Sequence, residues 1–377
     1  MPQMKRRNFL QSTGSAAAAW ATASAFGQGK PTAIPQPTFP DPKTGIKTSG
    51  GWSLAIIPDT QNYVKIGANQ PIFPQMTGWI KEHAEAWNIQ AVLHEGDIVN
   101  DNDMGQAAPR GRSDQNSESQ WECARKAMET LHGVVPTIYT TGNHDYGARN
   151  AEDRKTQFNN YFGLTDNPLT CNGRGGGIWR ESGKNSFGAE TLENAAYEIA
   201  APDGRNILIL ALEWGPRREA VAWGKQVLNQ AKYKDHFGIL LVHDYLTSNS
   251  TRDANDESSM NPHHYKTGEN GNTHDGEDLW QALVKPAPQI QMTLNGHHVG
   301  KHVGYRKDPN DHGKDVHQML FNAQGLGGNG GDGWIRLMTF EPDGKSITIR
   351  TFSPFLLGQN QDPWNRKPNW SFKIPLS

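Results

Sequence analysis

The chain has 377 residues, enough to bury a full core in one large domain or two smaller ones. A formal charge of -2 gives no general electrostatic reason to hold nucleic acid. A mean hydropathy of -0.73, with no apolar run of spanning length, excludes a membrane bundle.

The N-terminus carries Lys5, Arg6 and Arg7, then Phe9 and Leu10, then a mildly apolar Ala-rich run ending in Ala23-Ser24-Ala25. Paired arginines before a weak apolar stretch and a small-residue cleavage site resemble a twin-arginine export signal, here 1–27. The expected partner is the twin-arginine export machinery, and the expected location is periplasmic or secreted, in a bacterium. Residues 28–50 hold five prolines and no periodicity and read as a linker. Cys123 and Cys171 are the only cysteines; outside the cytosol they could pair or stay free.

Folded structure is expected to begin near Trp52. Residues 52–57 read as a buried strand stopped by Pro58, and apolar spacing over 73–87 predicts a helix. Residues 89–94 read as a parallel strand covered on both faces, running into Gly96-Asp97. A polar loop over 101–118, a helix over 121–131 and a strand over 134–139 follow. That strand ends in Gly142-Asn143-His144-Asp145. Residues 151–162 read as a helix and 163–185, with glycines 175–177, as an irregular loop. Strands are expected at 195–200 and 207–212 and a helix over 219–231. A strand over 237–242 runs into His243-Asp244. A polar insertion over 248–276 holds His263, His264 and His274, read as solvated loop residues. A helix over 278–284 leads to a strand over 289–294 that runs into Gly296-His297-His298. Strands near 316–322, 334–340 and 346–352 close a domain over 51–352, and a tail over 353–377 packs back on it. Alternating elements in the first half and consecutive strands in the second suggest a layered α/β sandwich.

Five strand ends therefore carry Asp59, Asp97, Asn143 with His144, His243 and His297. In open α/β sheets the site lies beyond the carboxyl ends of the strands, so these side chains should converge. Carboxylate, amide oxygen and imidazole without thiolate suit Mn, Fe or Zn. Tyr63, Tyr146 and Trp179 are candidates for a substrate-pocket wall or for ordinary packing.

In order, Asp59-x-Gln61, Gly96-Asp97, Gly142-Asn143-His144-Asp145, Val242-His243 and Gly296-His297 resemble the calcineurin-like metallophosphoesterase superfamily, in its secreted branch opening with Pro-Asp-Thr-Gln-Asn-Tyr. The resemblance implies a four-layer αββα fold and a centre of two divalent metal ions. It implies Asp59, Gln61 and Asp97 at the first metal, and Asp97, Asn143, His243 and His297 at the second. It further implies His144 as the group that protonates the leaving alkoxide, with Asp145 orienting that ring by a hydrogen bond. Gln61 and Val299 stand where the superfamily commonly has histidines of the first metal, so that site is expected to be the weaker; His298 is displaced by one residue, and His302 or a water is a candidate substitute. The implied function is hydrolysis of a small phosphoric mono- or diester by a metal-bound hydroxide. The alternative is a metal- or phosphate-ligand-binding protein with a degenerate first site and little turnover.

Overall fold

Runs of consecutive apolar residues, too short for helices, pair into two seven-stranded mixed sheets. The computed structural model describes residues 37–46, 50–107, 113–173, 176–255 and 258–376; the signal at 1–27 and most of the stretch at 28–50 lie outside the described residues.

The first sheet takes β1 (Trp52–Ile57), β2 (Ile89–His94) and β3 (Thr137–Tyr139) from the start of the described chain. The second is continuous in sequence: β4 (Trp179–Lys184), β5 (Glu190–Ala200), β6 (Asn206–Ala211), β7 (Phe237–Leu241), β8 (Ile290–Asn295), β9 (Val303–Pro309) and β10 (Asp315–Phe321). The chain then returns to the first sheet as β11 (Ile335–Phe340), β12 (Ser346–Phe352), β13 (Trp364–Asn365) and β14 (Phe372–Pro375). The first sheet runs β13-β12-β11-β1-β2-β3, with β14 also on β12; the second runs β4-β5-β6-β7-β8-β10-β9. β1, β2 and β3 are mutually parallel, as are β6, β7 and β8, so each sheet has a block whose carboxyl ends face one way.

The layering follows from the two-residue period of a strand. In β6, Ile207, Ile209 and Ala211 enter a core shared with the first sheet. Leu208 and Leu210 enter a separate core with Val221, Val227 and Leu228 of the helix Arg218–Leu228 and Leu283 of the π-helix Trp280–Val284. Phe73, Met76, Ile80, Trp121, Ala124 and Met128, from the helices Ile72–His83 and Ser117–Glu129, pack on the first sheet. Helix, sheet, sheet, helix is the four-layer αββα order expected from the sequence.

Three local expectations are corrected. Residues 151–162 form only one helical turn, Phe158–Tyr161. Upstream, the Asp153 carboxylate accepts from the Lys155 amide (2.7 Å) and the Thr156 hydroxyl from the Phe158 amide (3.0 Å), local bonds that compete with a helix. The irregular 163–185 stretch ends in β4, which pairs antiparallel with the next strand, β5, as a hairpin that starts inside the expected loop. The tail does more than pack back: β14 adds four paired positions to β12 and buries Phe372 and Ile374. Cys123 and Cys171 are both free thiols. Among the described residues no helix is long and apolar enough to cross a membrane.

Residues 37–46 are held against the first sheet: the Trp87 indole donates to the Pro42 carbonyl (2.9 Å) and the Arg350 guanidinium to that of Thr38 (2.7 Å). Because Phe372 is a strand residue in the shared core, Phe372→Ala is expected to cost about 3–5 kcal/mol of unfolding free energy, read by urea denaturation. A loss below about 1 kcal/mol would mean that the tail is a surface appendage.

Candidate metal centre

The parallel strands deliver their functional side chains just past their last residues: Asp59 after β1, Asp97 after β2, Asn143 after β3, His243 after β7 and His297 after β8. Three glycines create the space in which they meet. A Cβ on Gly96 would lie 2.7 Å from His243 Nδ1, and one on Gly142 would overlap Asp97 Oδ1 and lie 2.7 Å from His243 Nε2. One on Gly296 would overlap Asp59 Oδ1. Asp97 and His297 themselves hold left-handed backbone (φ 48° and 64°), the kind of local strain that clusters at functional sites.

Asp97, His243 and His297 are buried and can present ligand atoms within 4.8 Å of one another. Asp97 Oδ1 accepts from the His144 amide at 2.9 Å, leaving Oδ2 3.3 Å from His243 Nε2. Backbone carbonyls orient both imidazoles. His243 Nδ1 donates to Glu95 (2.6 Å) and His297 Nε2 to Met260 (2.8 Å), so the opposite nitrogen of each ring keeps its lone pair for a cation. The Asn143 amide nitrogen donates to Asn150 Oδ1 at 2.6 Å, which aims Asn143 Oδ1 the other way. Asn143 Oδ1, His243 Nε2 and Gln61 Oε1 are buried without a hydrogen-bond partner. Orphaned polar atoms of this kind, beside a buried carboxylate, fit a divalent cation bound by oxygen and imidazole.

The electrostatics draw positive charge to the same place, a proton on His243 Nε2 where a cation would otherwise sit. Burial pushes Asp97 up, but the adjacent His243 and His144 more than offset it and hold the carboxyl well below its usual range. Burial would lower His243, yet Asp97 and Asp59 outweigh it and hold the ring up at about 10. Burial pushes Asp59 up to about 7 against the pull of His243, and lowers His297 well below its usual value.

Asp59 is not among the side chains whose ligand atoms gather within 4.8 Å around Asp97, His243 and His297, but it adjoins them. Its Oδ1 accepts from the His297 amide (3.2 Å), and its Oδ2 from Asn322 (2.9 Å) and Gln324 (3.2 Å). Neither candidate histidine joins it. His302 Nδ1 is paired with the Asn322 carbonyl at 2.9 Å, and His298 turns to Asp244. Val299 is exposed. Gln61, with its free buried oxygen, is the neutral donor on this side.

One expected contact is corrected. Asp145 does not orient His144: its carboxylate accepts from the backbone amides of Ile98 (2.9 Å), Val99 (3.1 Å) and Gly142 (2.7 Å). The ring is instead fixed by the Asn100 carbonyl, 2.8 Å from Nδ1. Asp145 is fully buried under the Asp97 turn, where amides are the nearest donors, so it shapes the loop. Tyr63 and Tyr146 are core residues, with hydroxyls bonded to the Gly333 amide (3.0 Å) and Glu193 (2.6 Å); Trp179 is half-buried, its indole donating to Ser182.

The aromatic wall comes from residues the sequence reading passed over. Trp214 lies 4.9 Å and Tyr265 6.3 Å from the His297 ring, measured between centroids. Asn150, Asn322, Gln324 and His94 were also missed. The His94 ring meets the Thr60 hydroxyl at 3.0 Å and the Gly96 amide at 3.1 Å, tying two ligand turns together. Only their place beside the motifs could have flagged them. Of the insertion's histidines, His263 pairs with Asp278 (2.9 Å), His274 bonds the Pro216 carbonyl (2.9 Å) and His264 is exposed.

Gly142→Ala forces a methyl into Asp97 and His243. It is expected to lower divalent-cation affinity at least tenfold, on the order of 1.4 kcal/mol, in a metal titration. Unchanged affinity in the folded variant would mean that Asp97 and His243 do not meet as described.

A family model for calcineurin-like phosphoesterase matches residues 53–301. The chain is 29% identical over 330 residues to the uncharacterised protein YvnB of Bacillus subtilis (strain 168), across 84% of this chain and 21% of that one. It thus spans about a fifth of that relative's length. Among solved structures it is similar to GAP50, the anchor in the inner membrane complex of Plasmodium, at 9% identity and a TM-score of 0.45, over 87% of this chain and 89% of that one. With a matching family model over most of its length and the strand-end side chains gathered as above, the chain belongs to the calcineurin-like phosphoesterase family.

Proposed function

We propose that the protein is an exported hydrolase of small phosphoric esters, with a divalent cation (Mn, Fe or Zn) held by Asp97, Asn143, His243 and His297. The observation that carries this reading is the pair of buried, unpartnered atoms Asn143 Oδ1 and His243 Nε2 beside Asp97 Oδ2. A second cation, on Asp59, Gln61 and Asp97, has fewer donors of its own. A cation at such a site neutralises phosphoryl oxygens and lowers the pKa of water.

The chain's own residues supply the rest. The Asn100 carbonyl keeps an N–H on His144 Nδ1, which leaves Nε2 of this half-buried ring to carry the proton delivered to the departing alkoxide. The His144 amide fixes one Asp97 oxygen, so the carboxylate cannot rotate. Asn150 holds the Asn143 amide in the orientation that presents oxygen. Trp214 and Tyr265 screen His297 from water on the side of the insertion. Arginines paired at the N-terminus support export through the twin-arginine machinery.

A second reading, a metal- or phosphate-binding protein with little turnover, is favoured by one observation. The Asp59 carboxylate is already engaged by Asn322, Gln324 and the His297 amide. Aryl phosphate mono- and diesters, assayed on apo-protein and after loading with Mn, Fe or Zn, separate the two. Hydrolysis should require metal, and His144→Ala should reduce kcat by about 10²–10⁴-fold with metal content unchanged. Asn150→Ala should weaken cation binding by about 10–100-fold. Bound metal without turnover on any ester would give the binding reading the field.

A further inference from the structure

The residues that follow His243 and His297 in the chain, Asp244 and His298, meet one another beside the His297 ring. His298 Nε2 lies 2.7 Å from Asp244 Oδ1. The insertion returns a third group to the same place. An antiparallel bridge between Leu246 and Arg252 folds the neck of the insertion back, and the Asp253 amide donates to the Tyr245 carbonyl at 2.8 Å. Asn295 clamps the turn from β8, accepting from the Leu246 amide and donating to its carbonyl, each at 3.1 Å. Asp253 Oδ2 comes to rest 3.5 Å from His298 Nε2. Asp244, Asp253 and His298 are 2%, 0% and 5% exposed.

As an ion pair this cluster is incomplete. It holds two carboxylates against one imidazole, and the single Nε2 proton satisfies only Asp244 Oδ1. Asp244 Oδ2 and both oxygens of Asp253 are buried with no hydrogen-bond donor. Arg252, the adjacent cation, turns away to Glu277 (2.6 Å) and Asp308 (2.7 Å). Leaving carboxyl oxygens unpaired out of water is unfavourable. A divalent ion in place of the proton would meet Asp244 and His298 directly and draw in Asp253, whose Oδ2 already stands 3.5 Å from the ring. Two carboxylates and an imidazole suit Mn or Zn over the all-oxygen preference of Ca or Mg. Asp244 and His298 can also present ligand atoms within 4.8 Å of one from His297, so the cluster shares a wall with the centre around Asp97.

We propose that Asp244, Asp253 and His298 form a further divalent-cation site, separate from the Asp97, Asn143, His243 and His297 centre. The site ties the 248–276 insertion to the ends of β7 and β8. It does not require that the neighbouring centre hydrolyse anything.

The test is metal content per chain, by mass spectrometry of the full-length protein dialysed against Mn or Zn, with circular dichroism as the check on folding. Asp253→Asn and His298→Gln should each remove about one equivalent relative to wild type and leave the equivalent at the Asp97 centre in place. Asp97→Asn should do the reverse. Unchanged content in a folded Asp253→Asn chain would overturn this site while leaving the proposed hydrolase intact. Loss of turnover in wild type would strike only the hydrolase. Should both variants fail to fold, anomalous diffraction at the Mn edge from wild-type crystals decides. A peak within coordination distance of Asp253 is expected, and a water or nothing there refutes the site.

Discussion

Four carboxyl groups, on Asp59, Glu95, Asp97 and Asp145, are buried together where the parallel strands of the first sheet end. Unpaired charge in such a place is among the most costly things a fold can contain, and the surrounding structure is arranged to answer it. Asp145 takes three backbone amides. Asp97 takes one amide and faces His243. Asp59 takes one amide and two side-chain amides. Glu95 lies under the influence of the buried Arg336, which draws its proton affinity down against the larger effect of burial. Since His243 comes from the second sheet, the two sheets are joined at this edge by charge as well as by their shared apolar core.

Three imidazoles are set by three main-chain carbonyls: Glu95 for His243, Met260 for His297 and Asn100 for His144. The carbonyls decide which nitrogen carries hydrogen and hence which is left for a cation or a proton transfer. Met260 belongs to the insertion between β7 and β8, so a segment that reads as polar surface loop orients a residue of the centre. The same insertion brings Tyr265 beside Trp214 and His297, and Asp253 beside His298. Its cost in closure entropy is modest for its length, and in return it encloses the site.

Relative to the family pattern, the side of the centre near Asp59 has changed character. Gln61 and Val299 stand where the resemblance leads one to expect histidines; Gln61 offers an unpartnered oxygen, Val299 is exposed, and Asn322 and Gln324 donate to the Asp59 carboxylate. Next to His243 and His297 in the chain, Asp244 and His298 meet Asp253.

The sequence by itself determined the strands and the chemistry at their ends. Buried runs such as 52–57 and 237–241 have no alternative to a covered sheet, and ligand types placed after each of them announce the convergence of Asp97, Asn143, His243 and His297. Short elements escaped it: the Asp153 and Thr156 side chains cap their own backbone and undo the helix at 151–162, and the polar β4 and the short β14 are strands only because β5 and β12 are there to pair with them. The tertiary structure alone decided partners. It gave Asp145 to the backbone and not to His144, buried Tyr63 and Tyr146, and brought Asn150, Asn322 and Asp253 in from loops. The physical reason is that a residue's type limits which bonds it can make. Which bond forms depends on the donors that packing leaves within 3 Å or so, and those come from segments far away in the chain.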